Sequence, residues 1–513
     1  MNDQDKPTRR PAGYAALIER YDIDCIPNWH RSFVADTNTL RIDSTGGGIE
    51  KVYPSKYWPG DALGDHLEFA LKYDGTNLAL LAGLFRKASE EEFLEYVRSK
   101  PTGKYARRLW FLNEFLTGKA LPLDDVQRGN YIDLLNSDEY YTVTPARQVR
   151  RQRVNDNLLG NRRFCPTVRR TDALRGFEAA NLSNRCRRVV SAYSPEVLKR
   201  ALGYLYAKET KSSFEIEHIK PASNRIERFV ALLRLAERDD FCDKKQMIEV
   251  QNRIVDARFR ASDYRSTQNY VGEAVAWQKE KIHFACPKPE DLADLMEGLI
   301  GAHQRMDAGG VPAVIHAAAI AYGFVFLHPF EDGNGRIHRF LIHNILARSG
   351  FTPEGLMFPI SASMLKNAAD YDASLEAFSR HLMALVEYSI DQEGRMSVHT
   401  DTAAWYRYID MTPQAEALFR FTEQTIDMEL AGEVEFLAKY DKAKKAIQEI
   451  LDMPDRKIDL FIRFCLQNNG RLSQAKRSGH FDFLADDEIA HLEQAIQSTY
   501  GSIAPDAAGR AGK

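Results

Sequence analysis

The chain has 513 residues, more than one hydrophobic core normally organises, so two or three domains are expected. Hydrophobic residues make up 44%, charged residues 27%, and the formal net charge is -3, which describes a soluble globular protein with no overall demand for nucleic acid or membrane. No apolar run reaches the roughly 18 to 20 residues of a membrane span, and the first residues lack the apolar centre of a signal peptide, so we expect a cytoplasmic protein.

In chain order, residues 1–12 are small and polar and predict a disordered tail. Residues 13–190 predict an N-terminal helical domain, because segments such as DHLEFALKYDGTNLALLAGLF space their apolar residues by three and four. Alternation with a period of two is rare throughout. The fold class expected from this pattern is all-α, or at least mainly helical.

The last part of that domain is an arginine-rich connection. Between Arg147 and Arg188 the chain contains only three acids, Asp156, Asp172 and Glu178. Such a stretch can bind nucleic acid, or its arginines can pair with acids on neighbouring helices. We favour the second interpretation and do not expect a nucleic-acid partner.

Residues 191–395 predict a central helical domain, residues 396–500 a smaller C-terminal helical module, and residues 501–513 a second disordered tail. Inside the central domain the apolar run 313–327 predicts a buried helix. It ends at His328, because the residue before a proline is pushed out of the α region. A new helix is predicted to begin near Arg336.

Neither cysteines nor histidines predict a zinc site. The chain has no CxxC pair, so its cysteines are interpreted as reduced thiols. Four histidines lie on helical patterns without partners at metal-ligand spacing: His303, His316, His338 and His343.

The junction between the two central helices concentrates polar residues in the segment HPFEDGNGRIHR, residues 328–339. Gly333 and Gly335 allow a ligand to approach the backbone closely, and the free N–H groups at a helix start attract anions. Arg336 and Arg339 project from the same side and can each fork onto phosphate oxygens. The pattern therefore predicts a site for more than one phosphate.

Two further residues of the junction add chemistry to this phosphate site. Asp332 is a hard oxygen ligand, which suits a Mg²⁺ ion that is otherwise held by phosphates and water. His328 lies at the edge of the site and can act as a general base near neutral pH. Phosphoryl or nucleotidyl transfer is the expected chemistry.

The segment from His328 to Arg339 resembles the HPFx(D/E)GNGRxxR motif of the Fic (Fido-domain) family, with every fixed position matched. The likeness extends upstream through YVGEAVAWQKEKIHFACPKP and downstream to about residue 380. It implies a helical Fic core with a small β-hairpin, the flap. It also implies transfer of AMP from ATP to a Tyr, Thr or Ser hydroxyl of a target protein.

The resemblance also implies roles for individual residues. His328 would deprotonate the hydroxyl, and Asp332 would hold Mg²⁺. Asn334, with the backbone of Gly333 and Gly335, would stabilise charge on the α-phosphate. The β- and γ-phosphates would be bound by Arg336 and Arg339 respectively.

The flap and the adenine pocket are also placed by the resemblance. The flap corresponds to residues 271–287, on which a target would dock by adding a strand. Tyr371 is a candidate for the adenine pocket, and a core tyrosine is the alternative.

Many members of the family carry an inhibitory helix with the pattern (S/T)xxxE(G/N), whose glutamate pairs with the second motif arginine. Ser213 and Glu217 match this spacing, and Ser223 and Glu227 are a second candidate. We favour Glu217, because the segment around it is closer to the family's pattern and Pro221 then ends it. Low basal activity is therefore expected.

Other functions stay open at this point. The same fold can transfer UMP, phosphate or phosphocholine, or remove AMP. A different class is an ATP-sensing regulatory protein that binds DNA or a partner through its flanking helices. Self-modification and a homodimer are both compatible with the resemblance.

Overall fold

A computed structural model of the chain describes residues 9–45, 48–276 and 279–501. Helices dominate this part of the chain, so the predicted mainly helical fold is confirmed. None of the helices in these ranges combines the length and the apolar character that crossing a bilayer requires.

The N-terminal part contains a sheet that the sequence did not predict. Its elements, in chain order, are β1 (Arg10–Ala12), α1 (Tyr14–Tyr21), β2 (His30–Ala35), β3 (Arg41–Thr45), β4 (Gly48–Pro54), α2 (Leu63–Phe69), α3 (Leu78–Lys87), α4 (Glu90–Ser99), α5 (Lys104–Thr117), β5 (Ile132–Asp133), β6 (Arg147–Val149) and β7 (Val154–Asp156). The strand order of the larger sheet is β1-β2-β4-β3, with β2 and β4 parallel and the other pairs antiparallel. Because β1 has three residues and β2 is buried on both faces, neither shows a period of two.

The predicted tail over residues 1–12 is wrong for Arg10–Ala12. These residues pair with β2, Arg10 opposite Val34 and Ala12 opposite Ser32. Backbone pairing in a sheet holds a terminal segment that its composition alone would leave loose. Residues 1–8 of this tail, and all but Gly501 of the tail predicted over 501–513, lie outside the described residues.

The central part is built of helices with two hairpins. Its elements are α6 (Asp172–Ala180), α7 (Leu182–Ser191), α8 (Pro195–Glu215), α9 (Ser223–Leu233), α10 (Lys244–Ile254), β8 (Tyr270–Ala276), β9 (Lys279–Ala285), α11 (Pro289–Ala308), α12 (Ala313–Leu327), α13 (Asn334–Arg348), α14 (Ile360–Lys366), α15 (Ala368–Met383), β10 (Tyr388–Ile390), β11 (Met396–Val398), α16 (Ala403–Arg407) and α17 (Thr412–Gln424). The C-terminal helices are α18 (Ala431–Ile450), α19 (Asp455–Gln467), α20 (Gln474–His480) and α21 (Asp486–Tyr500). Short 3-10 or π turns occur at Ser55–Tyr57, Ala70–Asp74, Ala257–Phe259 and Thr425–Leu430.

Helix α12 forms the centre of the molecule. Its sequence AVIHAAAIAYGFVFL is apolar on every side, and the helix is buried between α11, α13 and α17. Such a helix cannot move without disturbing the packing of its neighbours. Its C-terminal end therefore gives a fixed position to whatever follows it.

Three larger hydrophobic cores and two smaller clusters accompany this arrangement among the described residues. The first core lies among residues 14–165 together with Tyr408, the second among residues 141–437, and the third, which is smaller, among residues 443–496. The domain boundaries predicted at 190 and 395 stay predictions, and side chains from both sides of each boundary pack in the second core, for example Leu174 and Trp405.

The arginine-rich connection is an ordered part of the fold. Arg151 pairs with Glu114 at 3.0 Å, Arg169 with Asp410 at 3.1 Å, and Arg185 with Asp427 at 2.7 Å. These arginines thus pair with acids elsewhere in the chain, as the sequence analysis favoured.

Candidate active site

The site is a short loop between α12 and α13. The backbone leaves α12 at His328, which has φ 50° and ψ 57°, and enters α13 through Gly333, which has φ 93°. Helix α13 thus begins at Asn334, two residues before the predicted start. Because Gly333 adopts a positive φ that other residues rarely take, it fixes the direction in which the new helix leaves the loop.

The loop is held by side chains that bond to its backbone. The Asn334 amide accepts the N–H of Phe330 at 3.0 Å and donates to the carbonyl of Phe330 at 2.7 Å. Gln251, fully buried, donates to the carbonyl of Asp332 at 3.3 Å. Both ends of the Asn334 amide are therefore used within the loop, and its role at an α-phosphate stays a prediction.

Arg265 holds the loop in place, and the sequence analysis did not single it out. Its backbone N–H donates to the carbonyl of Pro329 and its Nε to the carbonyl of His328, both at 2.8 Å. Its remaining nitrogens donate to Thr267 and Pro287 at 2.7 Å. The buried guanidinium thus joins the loop to the base of the hairpin β8–β9. Its acceptors are distant backbone carbonyls, which leave no signal in the sequence.

His328 is placed to accept a proton. Burial lowers the pKa of its imidazole to about 4, an effect that the bond to Val325 and the nearby Asp332 oppose and Arg265 reinforces. Nδ1 lies 3.2 Å from the carbonyl of Val325. Since a carbonyl can only accept, Nδ1 carries the proton of the neutral ring, and Nε2 is free to act as a base.

The two arginines of α13 share one carboxylate. Glu217 Oε2 lies 2.7 Å from Nε of Arg336, and Oε1 lies 2.8 Å from Nη2 of Arg339. The arginine side chains are 0% and 1% exposed, whereas Glu217 is 23% exposed. The sequence predicted pairing with Arg339 alone, so the contact with Arg336 extends that prediction. Burial favours the neutral form of Arg339, but Glu217 and Tyr371 outweigh it and raise its pKa.

Ser213 supports the same contact. Its hydroxyl accepts from Nε of Arg339 at 3.0 Å, and its carbonyl accepts from Nη2 at 2.5 Å. Ser213 lies in the last turn of α8, and Glu217 follows the end of that helix. Glu227, the second candidate, is exposed on α9 and makes no ion pair within the described ranges.

Gly335 lies where the Glu217 carboxylate meets the helix. A Cβ atom at this position would lie 2.6 Å from Oε1 of Glu217 and 3.2 Å from Nη1 of Arg339. A Cβ at Gly333 would lie 2.9 Å from Val255. At Gly335 the start of α13 therefore lacks a side chain on the side that faces the Glu217 carboxylate.

Asp332 satisfies what a Mg²⁺ site with one protein carboxylate requires. Its side chain is about one third exposed, and Oδ1 lies 2.6 Å from Nη2 of Arg336. Oδ2 makes no hydrogen bond to the described residues, so a hard oxygen remains available beside the arginines.

Tyr371 lies beneath the arginines. Its ring stacks on His338 with centroids 6.1 Å apart and meets Phe421 edge-on. Burial raises the pKa of its hydroxyl, and Arg339 opposes that shift. These contacts are those of a core tyrosine, and a role in adenine binding stays a prediction.

The predicted flap region forms an antiparallel hairpin. Tyr270 pairs with Ala285 and Val271 with Phe284, and the register shifts after Val271. Phe284 anchors the hairpin against Phe326 and Phe378, with ring centroids 6.1 and 6.3 Å away. Residues 277–278, at its tip, lie outside the described residues.

Comparison with known proteins finds similarity in the segment that contains this site. Residues 241–346 match the Fic/DOC family. The chain is 34% identical over 125 residues to "Protein adenylyltransferase Fic" of Culex quinquefasciatus, covering 23% of this chain and 22% of that protein. It is 34% identical over 114 residues to the protein of the same name from Nematostella vectensis, covering 22% of this chain and 24% of that protein. The chain thus spans about a quarter of the length of these relatives.

Among solved structures, a Fic family protein from Desulfovibrio desulfuricans matches with a TM-score of 0.35 and 16% identity, covering 54% of this chain and 80% of that one. A Fic domain-containing signalling protein from Bacteroides thetaiotaomicron matches with a TM-score of 0.34 and 20% identity, covering 49% and 97%. Residues 241–346 contain His328, Asp332 and both arginines of the junction. The similarity to the Fic/DOC family therefore includes the residues that form the junction.

Proposed function

We propose that the chain is a protein adenylyltransferase, which transfers AMP from ATP to a Tyr, Thr or Ser hydroxyl of a target protein and releases pyrophosphate. The observation that carries this proposal is the single carboxylate held by two buried arginines at the start of α13. A site that orders the oxygens of Glu217 in this way is built to bind anionic oxygens, and a polyphosphate presents the same atoms. The curated names of the relatives point to the same activity.

In the proposed reaction, the hydroxyl oxygen of the target forms a bond to the α-phosphorus. The bond between that phosphorus and the oxygen bridging to the β-phosphate breaks, and pyrophosphate leaves. The hydroxyl proton goes to Nε2 of His328, which the lowered pKa keeps unprotonated at neutral pH. Arg336 and Arg339 stabilise the charge on the β- and γ-phosphates.

Mg²⁺ would be held by Asp332, and when bound it would neutralise part of the phosphate charge. Arg336 keeps the Asp332 carboxylate oriented by its contact with Oδ1. The second oxygen would then be the one available to the ion.

Glu217 is proposed to inhibit the same site. Its carboxylate takes up the donors of Arg336 and Arg339 that the phosphates need, so ATP cannot bind productively while it is in place. Replacing it with glycine removes the competitor and leaves two cations free for phosphate. Low activity in the wild type and high activity in Glu217→Gly are therefore expected.

The target is proposed to dock on the hairpin β8–β9. Added strands are recognised mainly through backbone hydrogen bonds, which tolerate many side-chain sequences. This mode of docking also allows a second copy of the chain to serve as substrate, so self-modification provides a readout that needs no known target.

The deciding experiment incubates the wild type, Glu217→Gly and His328→Ala with α-labelled ATP and a cell lysate. We expect strong labelling only with Glu217→Gly, and a mass increase on the labelled residue that corresponds to AMP. In parallel incubations with each alternative donor in place of ATP, a mass increase on Glu217→Gly that corresponds to UMP, phosphate or phosphocholine would assign a different transfer reaction. No labelling by any variant, together with salt-dependent DNA binding that survives His328→Ala, would replace the proposal with a regulatory binding function.

A further inference from the structure

A second cluster of potential ligands lies away from the junction. Asp240 and Cys242 belong to the segment between α9 and α10, and His303 belongs to α11. One donor atom from each residue lies within 4.8 Å of the other two. The sequence places His303 about sixty residues from the other two, which is why spacing alone predicted no metal site.

The carboxylate of Asp240 is oriented toward His303. Oδ1 accepts the N–H of Cys242 at 2.9 Å and faces Arg348 at 3.4 Å. Oδ2 is directed the other way and lies 3.2 Å from Nε2 of His303. One oxygen is therefore fixed by the protein, and the other points into the cluster.

The imidazole of His303 is oriented in the same manner. Its Nδ1 lies 3.0 Å from Nε2 of His316 on α12. Histidines that bind metal ions are held by a hydrogen bond to the nitrogen that does not bind the metal, and His316 supplies that bond here. His303 is 1% exposed, so its ring cannot turn away into solvent.

Cys242 completes the set. Its thiol is buried and makes no hydrogen bond to the described residues. Asp240 is 41% exposed at its side chain, which gives an ion access to the cluster and leaves room for a water molecule. Sulfur, nitrogen and oxygen donors in this number match a site with three protein ligands and water for Zn²⁺.

We propose that Asp240, Cys242 and His303 form a binding site for a divalent transition metal ion of the Zn²⁺ class. Binding forms one bond each to sulfur, nitrogen and oxygen, and the thiol proton leaves to solvent. For Nε2 of His303 to bind the ion, the proton of that ring moves to Nδ1, which then donates a hydrogen bond to Nε2 of His316, and the proton of His316 moves to its own Nδ1. The proposal is independent of the proposed transferase activity.

The expected effect of the ion is to fasten the segment before α10 to α11. That segment also contacts the junction helix, because Phe241 packs edge-on against Phe340 at 5.0 Å and Asn344 donates to the carbonyl of Asp239 at 2.9 Å. Metal binding would therefore stiffen the support of α13.

The test uses tag-free, full-length protein stripped with a chelator and titrated with Co²⁺. We expect about one equivalent to bind, with a near-ultraviolet thiolate-to-cobalt band and visible bands of a tetrahedral ion. Cys242→Ser should lose the thiolate band. Cys186→Ser, which changes another buried thiol of the same core, should keep it, and Asp332→Ala should keep it too.

A second measurement, on the wild type, keeps the proposal testable if a variant does not fold. In the wild type, Zn²⁺ should raise the melting temperature, and a chelator should reverse the effect. His316→Gln should weaken Co²⁺ binding by about 10- to 100-fold without abolishing the band. A wild type that shows neither band nor thermal shift, or a thiolate band that persists in folded Cys242→Ser, would overturn the proposal.

Discussion

Two parts of the candidate active site are held in different ways. The loop from His328 to Asn334 is fixed by buried donors, Arg265 and Gln251 among them, that bond to backbone carbonyls. The proposed inhibitory segment reaches the site through the side chain of Glu217, which is partly exposed and lies beyond the end of α8. The first part is a fixed frame, and the second is proposed to be an occupant that gives way to the phosphates.

The energetic consequences of the two arrangements also differ. Removing a donor that satisfies a buried loop carbonyl leaves that group unpaired, at about 1–3 kcal/mol each. Removing Glu217 also leaves buried charges on Arg336 and Arg339, but the phosphates of a nucleotide can satisfy them. Damage to the frame should therefore lower activity, and loss of the occupant should raise it.

The largest effect is expected from His328→Ala in the Glu217→Gly background. Loss of a general base should lower the rate of AMP transfer by about 10²- to 10⁴-fold, while nucleotide affinity measured by calorimetry stays unchanged. His491→Ala, an exposed histidine on α21, is the matched control and should keep full activity. Loss of nucleotide binding in His328→Ala would contradict its assignment as the base.

The Arg265→Met variant tests whether the loop from His328 to Asn334 depends on Arg265 to hold its position. Because Arg265 holds the carbonyl of His328, its loss should displace the imidazole and lower the transfer rate by about 10²-fold, with little change in KM for ATP. The comparison variant is Arg260→Met, which alters an exposed arginine on the same segment. Arg265→Lys should recover only part of the rate, since an ammonium cannot make all the bonds of the guanidinium. An equal loss in both Met variants would mean that Arg265 has no positioning role.

The Glu217→Gly variant tests the proposal that the Glu217 carboxylate occupies the phosphate site and inhibits transfer. If the carboxylate competes with phosphate by a free energy typical of coupled sites, self-modification should rise by about 5- to 150-fold. Glu227→Gly removes an exposed glutamate from the neighbouring helix and should leave the rate unchanged. Adding Arg339→Ala to Glu217→Gly should remove most of the gain. The assignment of Glu217 fails if its glycine variant is no more active than the Glu227 variant.

The features of this site that could be predicted from the sequence are those whose contacts are local in the chain. The helix over 313–327 was predicted at the bounds it has, Ala313–Leu327, because a long apolar run is a local signal. The Ser213–Glu217 spacing is local as well, although the second partner of Glu217 was not foreseen. Arg265 and the cluster around His303 were missed, because their partners are distant in sequence and follow only from the fold.

The four-stranded N-terminal sheet was missed for a related reason. Its first strand has three residues, and β2 pairs in parallel with β4, from which β3 separates it in the sequence. Strands buried on both faces lose the alternation by which a strand is recognised. The sheet is thus determined by long-range pairing.

The pH dependence of the transfer rate is the smallest expected effect. It tests whether the loop from His328 to Asn334 keeps the His328 imidazole unprotonated. With a pKa of about 4, His328 is about 1% protonated at pH 6, whereas a histidine with the ordinary pKa of 6.5 would be about three quarters protonated. The transfer rate of Glu217→Gly should therefore change by less than about 1.5-fold between pH 6 and pH 8, instead of falling about fourfold at pH 6.

The direction of this shift also has a consequence for stability. In the unfolded chain His328 binds a proton near pH 6.5, whereas in the folded chain it does so only near pH 4. The contribution of neutral His328 to the free energy of unfolding is therefore complete above pH 6.5, and it is lost as the pH drops toward 4. The rate of AMP transfer should follow the pKa of the folded chain, which is the lower of these two values. A rate profile for Glu217→Gly with its midpoint near 6.5 would show that His328 is hydrated like a surface histidine and that the frame does not bury it.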